Sequence, residues 1–418
     1  MIPLSEARAH VLSRVAVLPA ASVPVVGAVG CVVARPVIAA EAVPPFANSA
    51  VDGFAVRAAD VASVPVELSV VATLPAGADP SGITVAPGQA VRIMTGAPMP
   101  DGADAVVMVE DTSVSADGSV RIGASVAAGQ HVRAAGDDLH VGDEVLATGT
   151  VLTAAHIGVL ASLGITDIEV VRRPRVGVLS TGDELVTGPA PLRPGQIRDS
   201  TRHALLPLLS EAGCEPVDLG VVRDDEAAIA AAIESACDTC DALLTSGGVS
   251  MGDFDYVKVV LDRIADMRWM QIAIKPAKPF AFGTVGRGER SVPVFGLPGN
   301  PVSSLVSFEL LARPALRRMQ GRPDDDLDRL SVLAVADDGL RRRTDGKIHF
   351  LRAVVAYDRA DGRFHVRAGG AQGSHQLAAM ASANALAVLP DGEGVAAGGE
   401  AEVLMTGEAR SLHPWPSR

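Results

Sequence analysis

The sequence predicts a multidomain α/β protein, with a doubly wound, mostly parallel sheet at its centre and small β domains beside it. Three observations predict this. From Arg175 to about Gly321, strand-like apolar runs alternate with helix-like amphipathic ones, the pattern that builds βαβ units. From about residue 58 to 150, and again beyond about Leu330, short Val-rich runs are punctuated by Gly, Pro and Asp. The length of 418 residues, 48% hydrophobic and 20% charged, suits roughly two to four folded domains with their own cores. Aromatics make up only 3%, so those cores must be built mainly from Val, Ala and Leu.

Near the start, Val15 to Ala34 carries no charge, which raises the question of a signal or membrane segment. Pro19, Pro24, Gly27 and Gly30 interrupt it, so a helix end, a turn and a short strand in a cytoplasmic protein are expected instead. The runs "VPVELSVVATLPAG", "GQAVRIMTGAPMPDGADAVVMVE" and "AAGDDLHVGDEVL" read as small β-structure. In the alternating region, "RVGVLS" is a buried strand. "DSTRHALLPLLSEAG" follows with an Asp/Ser/Thr start and apolar Leu205, Leu208, Leu209 and Ala212 at helical spacing. A strand "PVDLGVV", a helix opening at Asp224, a strand "DALLTS" and a helix "DYVKVVLDRI" complete a βαβαβα unit. Beyond Leu330, "RLSVLAVA", "FLRAVVAY", the Ala360-Asp361-Gly362 turn before "RFHVRA", and "ALAVLPDGEGV" read as a small barrel or sandwich. Arg341 to Arg343 read as a solvated basic turn.

The formal net charge of −13 argues against a broad nucleic-acid surface, while leaving room for a local cationic pocket. Four cysteines are too few to staple a chain of this size and point to a reducing compartment. Cys237 and Cys240 form a C-x-x-C with no second pair nearby to complete a zinc site, so two semi-buried side chains are expected.

Chemistry is concentrated at the expected carboxyl ends of the central strands, where open parallel sheets gather ligands. There "VLSTGDELV" delivers Thr181 to Glu184, "VVRDD" delivers Asp224 and Asp225, and "LLTSGGVSMGDFDYV" delivers Ser246 to Asp255. Each alone reads as an ordinary turn; together they suggest a functional rim. A Ser-Gly-Gly loop attracts phosphate through backbone N–H groups, and the aspartates after it imply a cation between carboxylate and phosphate. Two further elements favour anions. "IAIKPAKPF" holds Lys275 and Lys278 in a proline-stiffened segment, and "VFGLPGNPVSSLVSF" sets Asn300 and Pro301 at a helix start.

Seven segments then give a resemblance: "PPFANSAVDGFAVR", "RIMTGAPMPDGADAVV", "STGDEL", "TSGGVSMGDFDYVK", "IKPAKPFAFG", "GLPGNPVSS" and "SANALAVLP". In this order, over nearly the whole chain, they resemble the molybdopterin molybdenumtransferase family, the MoeA proteins, and the related E domain of gephyrin. The resemblance implies a homodimer of four-domain chains. Residues 1–45 and 147–172 would form a linking domain, 46–146 an inserted β domain, 173–328 a MogA-like α/β domain and 329–418 a C-terminal β-barrel. It implies insertion of molybdenum from molybdate into adenylylated molybdopterin with release of AMP, assisted by a divalent cation such as Mg²⁺. No nucleic acid or membrane is implied; transient contact with other cofactor-assembly enzymes is.

Residue by residue, the catalytic positions implied are Asp52, Thr95, Asp137, Glu184, Asp224, Ser250 and Asp255, with Glu184, Asp224 and Asp255 as the cation set. The ligand-binding positions implied are Ser246, Gly247 and Gly248 for the pterin phosphate, and Lys275, Lys278, Pro298, Pro301, Arg352 and Ser382. The lysines would hold molybdate, and Arg352 would add a planar fork. Two positions depart from the family pattern: His349 and Ala47 stand where relatives commonly carry acidic residues. One alternative is the neighbouring step, adenylylation of molybdopterin, but the flanking domains with Asp52, Thr95 and Arg352 favour insertion. Another is a scaffold for partner proteins, which would be free to lose the acidic and lysine residues present here.

Overall fold

The computed structural model describes residues 1–248 and 256–411. The chain divides into two compact units. One comprises Met1–Ser22, Gly30–Ala34 and Glu169–Arg418, the other Val23–Val29 and Arg35–Ile168.

The first unit contains the expected doubly wound sheet. Strands Glu215–Val222, Arg175–Thr181, Ala242–Ser246 and Arg290–Leu297 lie side by side and parallel. Two antiparallel strands, Pro279–Arg287 and Asp266–Gln271, extend one edge. The alternation of side chains along the strands feeds two cores. Val176, Val178, Leu244 and Phe295 pack with Leu205 and Leu209 of helix Thr201–Glu211 on one face. Leu179, Leu243 and Val294 pack with Ile229, Ile233, Val257 and Val260 of helices Glu226–Thr239 and Tyr256–Ile264 on the other. Between Leu179's neighbours, Gly177 leaves room for the chains: a Cβ there would lie 2.7 Å from both Leu219 and Leu243. Helix Glu226–Thr239 is capped by Asp225, one residue later than expected, because the Asp225 carboxylate accepts from the Ala228 N–H at 2.8 Å.

Strands Ile348–Asp358, Arg363–Ala368, Ser331–Ala336, Glu400–Met405 and Ala385–Leu389 pair in turn, and the last pairs back onto the first. This closes a five-stranded barrel around Ala334, Val355, Val366, Ala387 and Val403, the small aliphatic core that the composition demands. The two-residue strand Ile274–Lys275 joins its outside, parallel to Ile348 and His349. Ile2 is threaded into the same network: its N–H donates to the Gln271 carbonyl at 2.8 Å and its carbonyl accepts from Ala273 at 2.8 Å. The Ile348 N–H in turn donates to the Ala273 carbonyl at 2.9 Å.

The second unit is built on a six-stranded sheet. Its order is Ala105–Met108, Gly53–Val56, Gln89–Ile93, Val66–Leu74, Ser119–Ile122 and Thr112–Val114. Phe54, Leu68, Val107, Val120 and Ile122 fill one of its faces. Of the uncharged stretch after Arg14, helix Leu4–Leu12 has already ended, and strand Ala20–Pro24, the turn Val25–Gly27 and strand Val32–Val33 follow. No helix of the described residues is long and apolar enough to cross a membrane. Cys237 and Cys240 are buried and free, and burial pushes both thiols up, Cys237 to about 11.

Candidate active site

The parallel register sets several polar strand ends level with one another. Ser180 is opposite Ser246, Ser246 opposite Leu297, and Thr181 opposite Val222. The loops that follow are therefore neighbours. The Asp224 N–H donates to Asp183 at 3.4 Å, and the Gly247 N–H donates to the Leu297 carbonyl at 3.1 Å. Glu184 and Asp224 are exposed, and no described ion pair occupies either carboxylate. Ser250 and Asp255 lie outside the described residues.

Gly247 and Gly248 turn the chain at φ +95° and +74°, a region that side chains rarely adopt. A Cβ on Gly248 would also sit 2.3 Å from the Val257 Cβ, so the turn admits no side chain there. Ser246 and Thr181 are buried beside it. Beyond Leu297, Pro298 is buried and its carbonyl accepts from the Ser304 hydroxyl, which ties the turn to helix Pro301–Ser307. The Asn300 side chain forms no cap with that helix.

In the same unit a cavity of 1080 Å³ brings together Lys275, Lys278, Asn300 and Ser303 with residues of the Arg341–Lys347 turn and the barrel. Lys275, Lys278, Arg341 and Arg343 are exposed, and no carboxylate of the described residues forms an ion pair with any of them. Arg342 differs. Its side chain is fully buried and donates to the carbonyls of Lys347, Leu389 and Pro390 and to Asp345 and Asp391. The sequence reading of three solvated arginines is thus corrected at Arg342, which organises the turn; Arg341 and Arg343 are exposed as read, and they line the cavity. Part of the signal was out of reach because Leu389, Pro390 and Asp391, three of the partners of Arg342, lie nearly fifty residues downstream.

His349 is buried in the cavity wall, with its Nε2 3.1 Å from each carboxylate oxygen of Asp345. Burial holds the imidazole below its ordinary value, against the opposing hydrogen bond that its Nε2 makes to the Asp345 carboxylate. Arg352 does not line the cavity. Its guanidinium is buried, donates to the carbonyls of Ala371 and Gly373, and leaves Nε and Nη1 without a partner among the described residues. Burial lowers its pKa. Ser382 is exposed at the end of helix Leu377–Ala381 and is likewise not among the lining residues, its hydroxyl donating to Ala379 at 3.1 Å.

In the second unit, Asp52 and Thr95 meet. One Asp52 oxygen accepts from the Thr95 N–H at 2.7 Å and from its hydroxyl at 2.8 Å. These two bonds hold the Asp52 carboxyl below its ordinary value. Asp137 is exposed in a nearby-sequence turn whose Gly136 N–H donates to Pro44 at 2.9 Å, and no described hydrogen bond joins it to Asp52 or Thr95.

Sequence reasoning also missed Asp199. Buried beside the end of strand Arg175–Thr181, it accepts from Ser180 at 3.2 Å and from Arg202 at 2.7 Å, and Arg202 also reaches Asp218. A carboxylate at a helix start gives no local sign of burial. Among the described residues, one group of three metal-capable side chains converges, Asp358, Asp361 and His365, with ligand atoms within 4.8 Å of one another. It lies at the barrel hairpin rather than among the positions implied by the sequence.

Comparison with known proteins agrees along the chain. Residues 2–164 match the MoeA N-terminal region (domain I and II), 177–318 a probable molybdopterin binding domain, and 341–405 the MoeA C-terminal region (domain IV). The chain is 38% identical over 359 residues to the molybdopterin molybdenumtransferase of Haemophilus influenzae, covering 86% of each chain. It is 34% identical over 386 residues to that of Bacillus subtilis, covering 89% of this chain and 87% of the relative. The crystal structure of the molybdopterin biosynthesis MoeA protein from Pyrococcus horikoshii superimposes with a TM-score of 0.79 at 30% identity, covering 98% of this chain and all of that one. The strand-end loops, the lysine segment and the family matches converge: the chain belongs to the molybdopterin molybdenumtransferase family, transferases of molybdenum-cofactor biosynthesis.

Proposed function

We propose that the chain inserts molybdenum from molybdate into adenylylated molybdopterin and releases AMP. The cavity carries this reading. A protein with a formal charge of −13 gathers in one concavity exposed lysines and arginines that form no described ion pair. Asn300 of its lining follows Gly299, where a Cβ would lie 3.8 Å from the Gly247 Cα. Lys275 and Lys278 are point charges with three donors each, suited to a tetrahedral oxyanion. Ser246, Gly247 and Gly248 would hold the pterin phosphate, because the glycines let phosphate approach the backbone. Pro298 and Pro301 would fix the turn that presents Asn300 and Ser303.

Glu184 and Asp224 fit a divalent cation such as Mg²⁺: both offer hard carboxylate oxygens, exposed and free of described ion pairs, and Asp255 would be the third. When bound, such a cation offsets negative charge on phosphate oxygens. Asp52, Thr95, Asp137 and Ser250 would complete the catalytic set, with Thr95 fixing the orientation and ionised state of the Asp52 carboxylate. Arg352 would offer an anion its buried Nε and Nη1, which have no partner among the described residues, and Ser382 would act from outside the cavity as it now stands.

The same reading assigns the linking domain to 1–45 and 147–172, the inserted β domain to 46–146, the MogA-like domain to 173–328 and the barrel to 329–418. Its support is that each of the three large sheets keeps almost wholly within one of these ranges. The reading also takes the chain as a cytoplasmic homodimer in transient contact with other assembly enzymes. The test is direct. Purified protein given adenylylated molybdopterin, molybdate and Mg²⁺ should release AMP and form molybdenum cofactor; binding of both substrates with neither product would refute insertion. Glu184→Gln should slow AMP release and keep the fold, and a wild-type rate would remove Glu184 from the mechanism.

A further inference from the structure

The cavity holds more positive charge than one small anion can use. Five cationic side chains line it, Lys275, Lys278, Arg341, Arg343 and Lys347, against the single carboxylate of Asp345, a surplus of four; the Arg342 side chain is fully buried and its charge is met by Asp391. At 1080 Å³ it also stands just above the roughly 300–1,000 Å³ typical of small-molecule and cofactor sites, far more than a tetrahedral oxyanion fills. The cations fall into two sets by origin. Lys275 and Lys278 come from the segment around strand Ile274–Lys275, whereas Arg341, Arg343 and Lys347 come from the turn before the barrel strand Ile348–Asp358.

Arg342 spends its donors inside that turn. It bonds the Lys347 carbonyl at 2.6 Å, the Pro390 carbonyl at 2.7 Å and Asp391 at 2.6 Å, so the turn is braced from within. Asp345 is occupied as well, by Arg342 at 2.9 Å and by His349. Arg341 and Arg343 are left exposed without a carboxylate among the described residues, and Lys347 has only a 3.5 Å approach to Asp345. Two such guanidinium forks on a braced turn match phosphate oxygens, which accept two parallel N–H bonds.

We propose that Arg341, Arg343 and Lys347 form a second anion subsite, which takes a phosphate ester or phosphoanhydride while the Lys275–Lys278 side takes the tetrahedral oxyanion. Naming the phosphate as the adenylyl phosphate of the adenylylated pterin, with the pterin phosphate at the glycine turn, rests on the function proposed above; the subsite itself does not. A dianion at the lysines leaves positive charge unmatched at the turn, so the two anions would fill the cavity together.

Calorimetric titration of the full chain with inorganic pyrophosphate and with molybdate, at fixed ionic strength, tests this without turnover. Wild type should bind both at once. Arg341→Ala combined with Arg343→Ala should weaken pyrophosphate by roughly a hundredfold, about tenfold for each charge-assisted hydrogen bond removed, and leave molybdate unchanged. Lys275→Ala combined with Lys278→Ala should do the reverse. Both arginines are exposed, so the double variant should fold, which circular dichroism checks. Failure of wild type to bind pyrophosphate, competition between the two anions, or equal loss of both in either variant would overturn the second subsite. Failure of the AMP-release assay would leave these titrations untouched, so the two ideas fall separately.

Discussion

Around Glu309 and around the cavity, the same unit handles clustered arginines and lysines in opposite ways. Glu309 is buried, and its carboxylate accepts from Arg313 at 2.6 and 3.1 Å and from Arg329 at 3.0 Å twice. Arg329 reaches Glu211 as well, at 3.0 Å. In the cavity, Lys275, Lys278, Arg341 and Arg343 find no such carboxylate among the described residues. Matched charge can be buried and serves stability, whereas unmatched charge must stay near water and remains available to a ligand.

The sharpest way to break the contrast is Glu309→Gln. It strands Arg313, with only 2% of its side chain exposed, and the expected loss is ~3–5 kcal/mol, read from the denaturant midpoint. A loss below ~1 kcal/mol would mean that the cluster is hydrated or rearranges. The same residue predicts an acid effect. Burial pushes Glu309 up, but the hydrogen bonds and charges of Arg329 and Arg313 outweigh it and hold the carboxyl below its ordinary value. Its contribution is therefore complete above the unfolded value near ~4.3 and is lost as pH falls through the lower folded value. Wild type should lose stability faster than Glu309→Gln across that acid window.

Lys275→Ala probes the unmatched side. Removing one charge-assisted hydrogen bond should cost about 1.5–3 kcal/mol of molybdate binding, roughly ten- to over a hundredfold, with stability changed by less than ~0.5 kcal/mol. Raising molybdate should recover part of the insertion rate. Calorimetry that found molybdate binding intact would remove the lysine from the site.

The smallest effect is at His349. Burial holds it below ~6.5, so the folded state binds fewer protons than the unfolded one between those two values, and stability should rise with pH across that window. Its imidazole resonances should titrate below those of an ordinary histidine. A midpoint at or above ~6.5 would instead make it a protonated partner of Asp345.

The central domain was legible because each βα step repeats a strand run, a polar loop and an amphipathic helix. The antiparallel strand Asp266–Gln271 was not, because its half-buried Met, Arg and Trp at a sheet edge carry no alternation. Lys275 and Lys278 stood out through the prolines beside them. Arg352 was placed by motif correspondence, and its position on a strand of a closed barrel, under the Ala371 and Gly373 carbonyls, depends on strand pairing that no local pattern records. Asp52 and Thr95 were each named through motif resemblance; their contact spans forty-three residues and no local spacing records it.

The threading of Ile2 ties its backbone to the segment that carries Lys275 and Lys278. Its backbone fills a slot between Gln271 and Ala273, and Ala273 is the residue through which the lysine segment reaches Ile348 of the barrel. Trimming the first residues, or leading a fusion partner in through them, would thus retune the anion site from a distance, although neither change touches a charged side chain.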